Sequence, residues 1–198
     1  MISRIHPWPK MRTSTRSTAI ASILCGFLLG AGMAVHAQPL RAVDIQAEER
    51  RTETLIAAGI DAERARLAPG APRLARNSAL ESMAQERSYA MAHGASFSHY
   101  DEDGRFIAAD IVKARFGPYG AIGENIMMER DNSRAFDPEA FARRAVQGWM
   151  NSDGHRANIL SGQYDRAGVG VVINGSYAYA TQLFWGPPRP SRGRDRRP

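Results

Sequence analysis

The chain has 198 residues, 43% of them hydrophobic and 23% charged, which leaves room for a single domain with its own core. Its one cysteine, Cys25, excludes a disulfide framework. The formal net charge of +6 sits at the two ends, because residues 38–188 hold 17 basic and 19 acidic groups, so the body is slightly acidic.

Lys10, Arg12 and Arg16 precede an apolar run from Ala19 to Val35, and the run ends in Val35-His36-Ala37. That order of charge, apolar stretch and small residues is the pattern of an export signal, with cleavage expected after Ala37. Residues 1–37 are therefore expected to be a signal peptide, and the mature protein to start at Gln38. The run is shorter than the ~20 apolar residues of a spanning helix and contains Gly26, Gly30 and Gly32, so no transmembrane anchor is expected after cleavage. Cys25 leaves with the signal, and a chain secreted or held in the periplasm then folds without disulfides. Specific binding to nucleic acid is not expected of an exported protein. Residues 189–198 hold five arginines and no apolar side chain, which predicts a basic disordered tail. Such a tail either solubilises the protein or touches an anionic lipid or wall polymer.

Along the body, Ile45, Ala47, Leu55, Ile56 and Ala58 among many charges predict a surface helix from Asp44 to about Ala58. Gly59 is expected to interrupt it, a second helical piece runs to Leu67, and Pro69-Gly70-Ala71-Pro72 breaks the chain. Asn77 or Ser78 caps the next helix, which reaches about His93 with Leu80, Met83, Ala84, Arg87 and Met91 on one face. A loop from Gly94 to Gly104 leads to a helix from Phe106 to Phe116, and Ala121 to Met128 reads as a buried strand or extended run. Asp137-Pro138 starts a helix with Phe141, Ala145, Gly148 and Trp149 on one face, and Gly154 limits it. Val169, Val171 and Ile173 then alternate, Asn174-Gly175 supplies a type I′ turn, and Tyr177 to Trp185 returns as the second strand of a hairpin. Together these elements predict an α+β domain over residues 38–188, an α/β/α sandwich whose small central antiparallel sheet is flanked by helices.

Three histidines follow the signal. His93 closes a predicted helix, where a cation complements the carbonyl end of the dipole, and is expected to be structural or exposed. His99 and His155 each stand just after a predicted helix. Between them, Glu124 interrupts an apolar segment, and a buried carboxylate needs a histidine, a cation or several donors as partner. Two neutral imidazoles and a carboxylate can bind Zn²⁺ at ~2.0–2.2 Å and leave a fourth position for water. A hydrogen-bonded His/Glu cluster that holds loops together is the alternative, and spacing alone does not choose between them. Asn125 and Asn158 are expected to orient loops through side-chain bonds to backbone, and Trp149 to anchor the core.

Taken in order, Phe97-Ser98-His99, Gly123-Glu124-Asn125-Ile126, the stretch from Trp149 through Ser152-Asp153-Gly154-His155 to Leu160, and Gly168-Val169-Gly170-Val171 resemble the bacterial SCP-like branch of the CAP superfamily. CAP joins cysteine-rich secretory proteins, antigen 5 and plant pathogenesis-related proteins. The resemblance covers about residues 44–186. It implies an antiparallel sheet between helical layers and a cleft that in many members holds two histidines and two acidic residues. By matching motif, His99 is the first cleft histidine, Glu124 the first carboxylate and His155 the second histidine. Ser152 stands where eukaryotic members have the second carboxylate, which removes a negative charge from the cleft.

The resemblance thus implies an exported binding module with His99, Glu124, Ser152 and His155 in its cleft and a lipid or cell-envelope component as ligand. His99, Glu124 and His155 would hold a divalent cation such as zinc. The alternative is a metal-assisted hydrolase or protease acting on envelope components, with Glu124 as general base beside His99. The chain lacks G-x-S-x-G, and neither Ser98 nor Ser152 shows a three-member relay.

Overall fold

Residues 40–130 and 136–188 are described by the computed structural model; the expected signal peptide and basic tail lie outside the described residues. The first element, α1 (Leu40–Leu67), runs 28 residues without interruption. The break expected at Gly59 is absent. A Cβ at this position would lie 3.0 Å from Val146 Cγ2, so the missing side chain lets another helix approach. A glycine costs a helix about 1 kcal/mol relative to alanine. Burying Ile56 and Ile60 on the same helix face returns about 2 kcal/mol each, so the continuous helix wins.

The short strand β1 (Ala75–Arg76) precedes α2 (Ser78–Ala92), whose N-cap Asn77 accepts a hydrogen bond from Leu80 N at 3.1 Å. Next come α3 (Ile107–Arg115), the ten-residue strand β2 (Ala121–Arg130) and α4 (Pro138–Met150). Asp137 caps α4 by accepting from Ala140 N at 2.9 Å, as Asp137-Pro138 predicts. Gly154 does not merely limit that helix. Asn151 and Ser152 end α4, and a separate α5 (Asp153–Leu160) begins with Gly154 and His155 in its first turn. The last strands are β3 (Arg166–Asn174) and β4 (Tyr177–Gly186). Asn174 pairs with Tyr177, so the two-residue connection is Gly175-Ser176. Only Gly175 has positive φ there (62°), which is the pattern of a type II′ turn and corrects the expected type I′ turn on Asn174-Gly175.

The strand order is β1-β3-β4-β2, with β2, β4 and β3 antiparallel and the two-residue β1 parallel to β3. Helices cover both faces, giving the expected α+β sandwich. On one face Ile56, Ile60, Phe141, Trp149 and Ile159 from α1, α4 and α5 meet Val169, Val171, Ala180 and Phe184. On the other, Leu80, Met83, Ala84, Ala108 and Val112 from α2 and α3 meet Leu183 and Trp185. The alternation of Phe184 and Leu183 shows the central strand buried on both sides; Phe184 and Trp185 lie in the core, while Tyr179 is half-buried.

Gly168 and Gly170 account for the Gly-Val-Gly-Val pattern of β3. A Cβ on Gly168 would sit 2.3 Å from Glu81 N, and one on Gly170 2.1 Å from Gln85 N, so α2 lies directly on the strand while Val169 and Val171 face α1. Side chains also seal both sheet edges, where unpaired backbone groups would otherwise recruit another strand. Along β2, Tyr164 Oη donates to Ile122 O (3.2 Å), Asn158 Nδ2 to Glu124 O (3.2 Å) and Trp149 Nε1 to Ile126 O (2.9 Å). Along β3, Glu53 Oε1 accepts from Val171 N at 3.0 Å and Glu49 Oε1 from Ile173 N at 2.9 Å, while burial pushes both carboxyls above the usual carboxylate range.

Candidate functional site

The site assembles at the β2 edge, where the two helical layers meet. Glu124 points from β2 into the α2 layer, and its side chain is 0% exposed. A carboxylate this deep is tolerated only with partners on both oxygens. Arg87, on the buried face of α2, donates from Nε to Oε2 at 3.0 Å, and His99 Nδ1 lies 2.8 Å from Oε1. The same guanidinium donates from Nη2 to the backbone carbonyl of Ser98.

His99 is carried by the loop that leaves α2 through Gly94, where φ is 104°. Its carbonyl accepts from Ile107 N at 3.0 Å, and the Ser98 hydroxyl is spent on the backbone of Tyr100, donating to O at 2.9 Å and accepting from N at 3.0 Å. The loop is thus pinned at both ends while the imidazole stays 30% exposed. Tyr100, 55% exposed, sets its ring edge-on to His99 with the centroids 6.5 Å apart.

His155 reaches the same point from the opposite layer, in the first turn of α5. Asn125 Nδ2 donates to His155 O at 3.2 Å, and Asn158 Nδ2 holds Asn125 Oδ1 at 3.0 Å. The two asparagines therefore bind strand to helix, as their expected backbone-bonding role requires. His155 Nε2 stands 3.3 Å from His99 Nε2, with the ring centroids 5.4 Å apart and the planes at 61°. Burial first, and then the neighbouring His99, pull the His155 pKa below the ordinary histidine value, with Glu124 opposing.

His99, Glu124 and His155 therefore meet, but in a line and not around one point. Glu124 stands behind His99 on its Nδ1 side, with both oxygens engaged, so of the expected ligand set only the two Nε2 atoms face each other. Among the described residues no group of three His, Cys, Asp or Glu is arranged to hold a metal ion. Ser152 is the N-cap residue of α5 and makes no capping bond; the hydrogen-bonded line from Arg87 to His155 does not pass through it. His93 lies apart as the C-cap of α2, stacked on Tyr89 with centroids 3.9 Å apart. A recess of about 470 Å³ between the end of α1 and Pro69 to Arg73 does not include the histidines.

Sequence reasoning put Arg87 on the buried face of α2 and gave it no role. The signal was present twice over: one cation in an apolar helical stripe and one carboxylate in an apolar strand.

A sheet sealed between helical layers, with two histidines meeting at its edge and a carboxylate behind one of them, places the chain among SCP-type domains. The model of the cysteine-rich secretory protein family, CAP, matches residues 61–185, and the chain belongs to this family. Over 77 residues, 39% of its length, it is 39% identical to the uncharacterized protein YkwD of Bacillus subtilis (strain 168), and that stretch spans 26% of the relative. An extracellular protein containing an SCP domain from Bacillus anthracis str. Ames aligns with a TM-score of 0.57 at 26% identity, over 76% of this chain and 45% of that one. An outer surface protein from Borrelia burgdorferi shares the fold, with a TM-score of 0.57 at 16% identity over 70% and 94% of the two chains. No described helix is long and apolar enough to cross a membrane.

Proposed function

We propose that this chain is an exported SCP-domain binding module in which His99 and His155 together hold a divalent cation, with zinc the best fit. The observation that carries this is the 3.3 Å separation of the two Nε2 atoms. Two nitrogens each ~2.0–2.1 Å from a tetrahedral zinc stand about 3.3 Å apart, so the imidazoles are spaced as two neighbouring ligands. Glu124 supports this arrangement from behind by accepting the His99 Nδ1 proton, the usual outer partner of a metal-binding imidazole. Zinc, when bound, supplies a Lewis-acid centre for an oxygen of the ligand.

The exposed ring of Tyr100 beside His99 offers an apolar face, which suits a lipid or an amphipathic cell-envelope component. Export is supported by the expected signal at residues 1–37 and by likeness to a protein described as extracellular.

Isothermal titration of residues 38–198 with Zn²⁺ tests the reading. About one equivalent should bind, and His99→Ala and His155→Ala should each weaken binding at least about tenfold without loss of fold. Equal affinity in all three proteins would contradict it. Ligation needs neutral imidazole, and His155 is depressed, so it stays available below the ordinary histidine value near ~6.5 and is lost only as pH falls through its own lower value. The same depression means that the unfolded chain takes up this proton first. Its contribution to stability is complete above about 6.5 and declines as the pH drops towards the folded value.

A further inference from the structure

We propose that Arg87 is a positioning residue for His99, fixing both the place of its ring and the nitrogen that carries its proton. This inference rests on the two-histidine reading for its ligand, but its geometry stands without a metal. One guanidinium makes two bonds of different kinds: Nε to the carboxylate that touches the His99 ring, and Nη2 to the carbonyl of Ser98, the residue before His99. His99 is held through its side-chain partner and its backbone neighbour by one rigid plane. A carboxylate paired with arginine offers only acceptors, so the His99 nitrogen facing it, Nδ1 at 2.8 Å, must be the one that donates. In the neutral ring, Nε2 then carries the lone pair, 3.3 Å from His155 Nε2.

Packing alone does not account for this pair. Arg87 and Glu124 are 4% and 0% exposed, and an apolar pair of similar volume commonly stabilises such a layer as well or better. What apolar side chains cannot do is give Nδ1 an acceptor and Ser98 O a donor. Lysine is not an equivalent, since a single ammonium on a flexible stem lacks the fork that reaches two acceptors in fixed directions.

The test uses residues 38–198 as wild type, Arg87→Lys and Arg87→Met, with circular dichroism and thermal melting to confirm folding. Nitrogen-15 NMR of the imidazoles at pH 8 without metal reads the tautomer, and Zn²⁺ titration reads the affinity. The wild type should carry the His99 proton on Nδ1 alone. Folded variants should show mixed tautomers and bind zinc at least about tenfold more weakly. A wild-type His99 protonated on Nε2 overturns the proposal whatever the variants do, and so does a folded variant with an unchanged tautomer and unchanged affinity. If the wild type binds no zinc while the tautomer still depends on Arg87, the positioning role holds and the cation reading fails.

Discussion

Asn158 shows how much one side chain can organise at the site without touching a ligand. Its Nδ2 donates to Glu124 O on the strand edge and to Asn125 Oδ1, while its Oδ1 lies 3.3 Å from Tyr164 Oη. Asn125 in turn holds His155 O. Asn158→Ala should cost about 2–3 kcal/mol in urea unfolding, because it strands a buried carbonyl and an amide oxygen at about 1–3 kcal/mol each, partly offset by local relaxation. A change below about 0.5 kcal/mol would show that water replaces the amide at no cost. Sequence reasoning assigned Asn125 and Asn158 a bonding role from residue type alone, since a short amide competes well for backbone groups. That the acceptor would be an edge-strand carbonyl thirty-four positions away was not legible, because it depends on which strand ends the sheet.

At the scale of elements, glycine separates what is local from what is not. Gly170→Ala should destabilise the fold by about 3 kcal/mol or more, because its Cβ would lie 2.1 Å from the backbone of Gln85 and the whole of α2 would have to lift. The check is thermal unfolding; a melting temperature equal to that of the wild type would mean that α2 does not rest on β3. Gly59 serves the same purpose between α1 and Val146, yet read along the sequence it looked like a breaker. Both readings follow from one residue type, and only the partner element tells them apart. The starts of α2 and α4 were legible because Asn77 and Asp137-Pro138 act on their own first turns. By contrast β1 exists only through pairing with Arg166 and Ala167 of β3, and α5 follows a two-residue break at Asn151 and Ser152 that resembles a helix end.

On the scale of the whole molecule, the site is a product of the sandwich. Arg87 comes from α2 on one face, Glu124 from the edge strand and His155 from α5 on the other face, with His99 on the loop that joins α2 to α3. Residue chemistry made Glu124 and the two histidines visible as candidates, because a carboxylate in an apolar strand requires partners. Their order in space was not visible, and the expected trio of ligands became a line with Glu124 behind His99. The most direct test is a crystal of residues 38–198 grown with zinc and measured on both sides of the zinc absorption edge. The expected result is one anomalous peak ~2.0–2.1 Å from Nε2 of both His99 and His155, with Glu124 still bonded to Arg87 and His99 Nδ1. No peak between the histidines, or a peak ligated by Glu124 with Arg87 displaced, would contradict the two-histidine site.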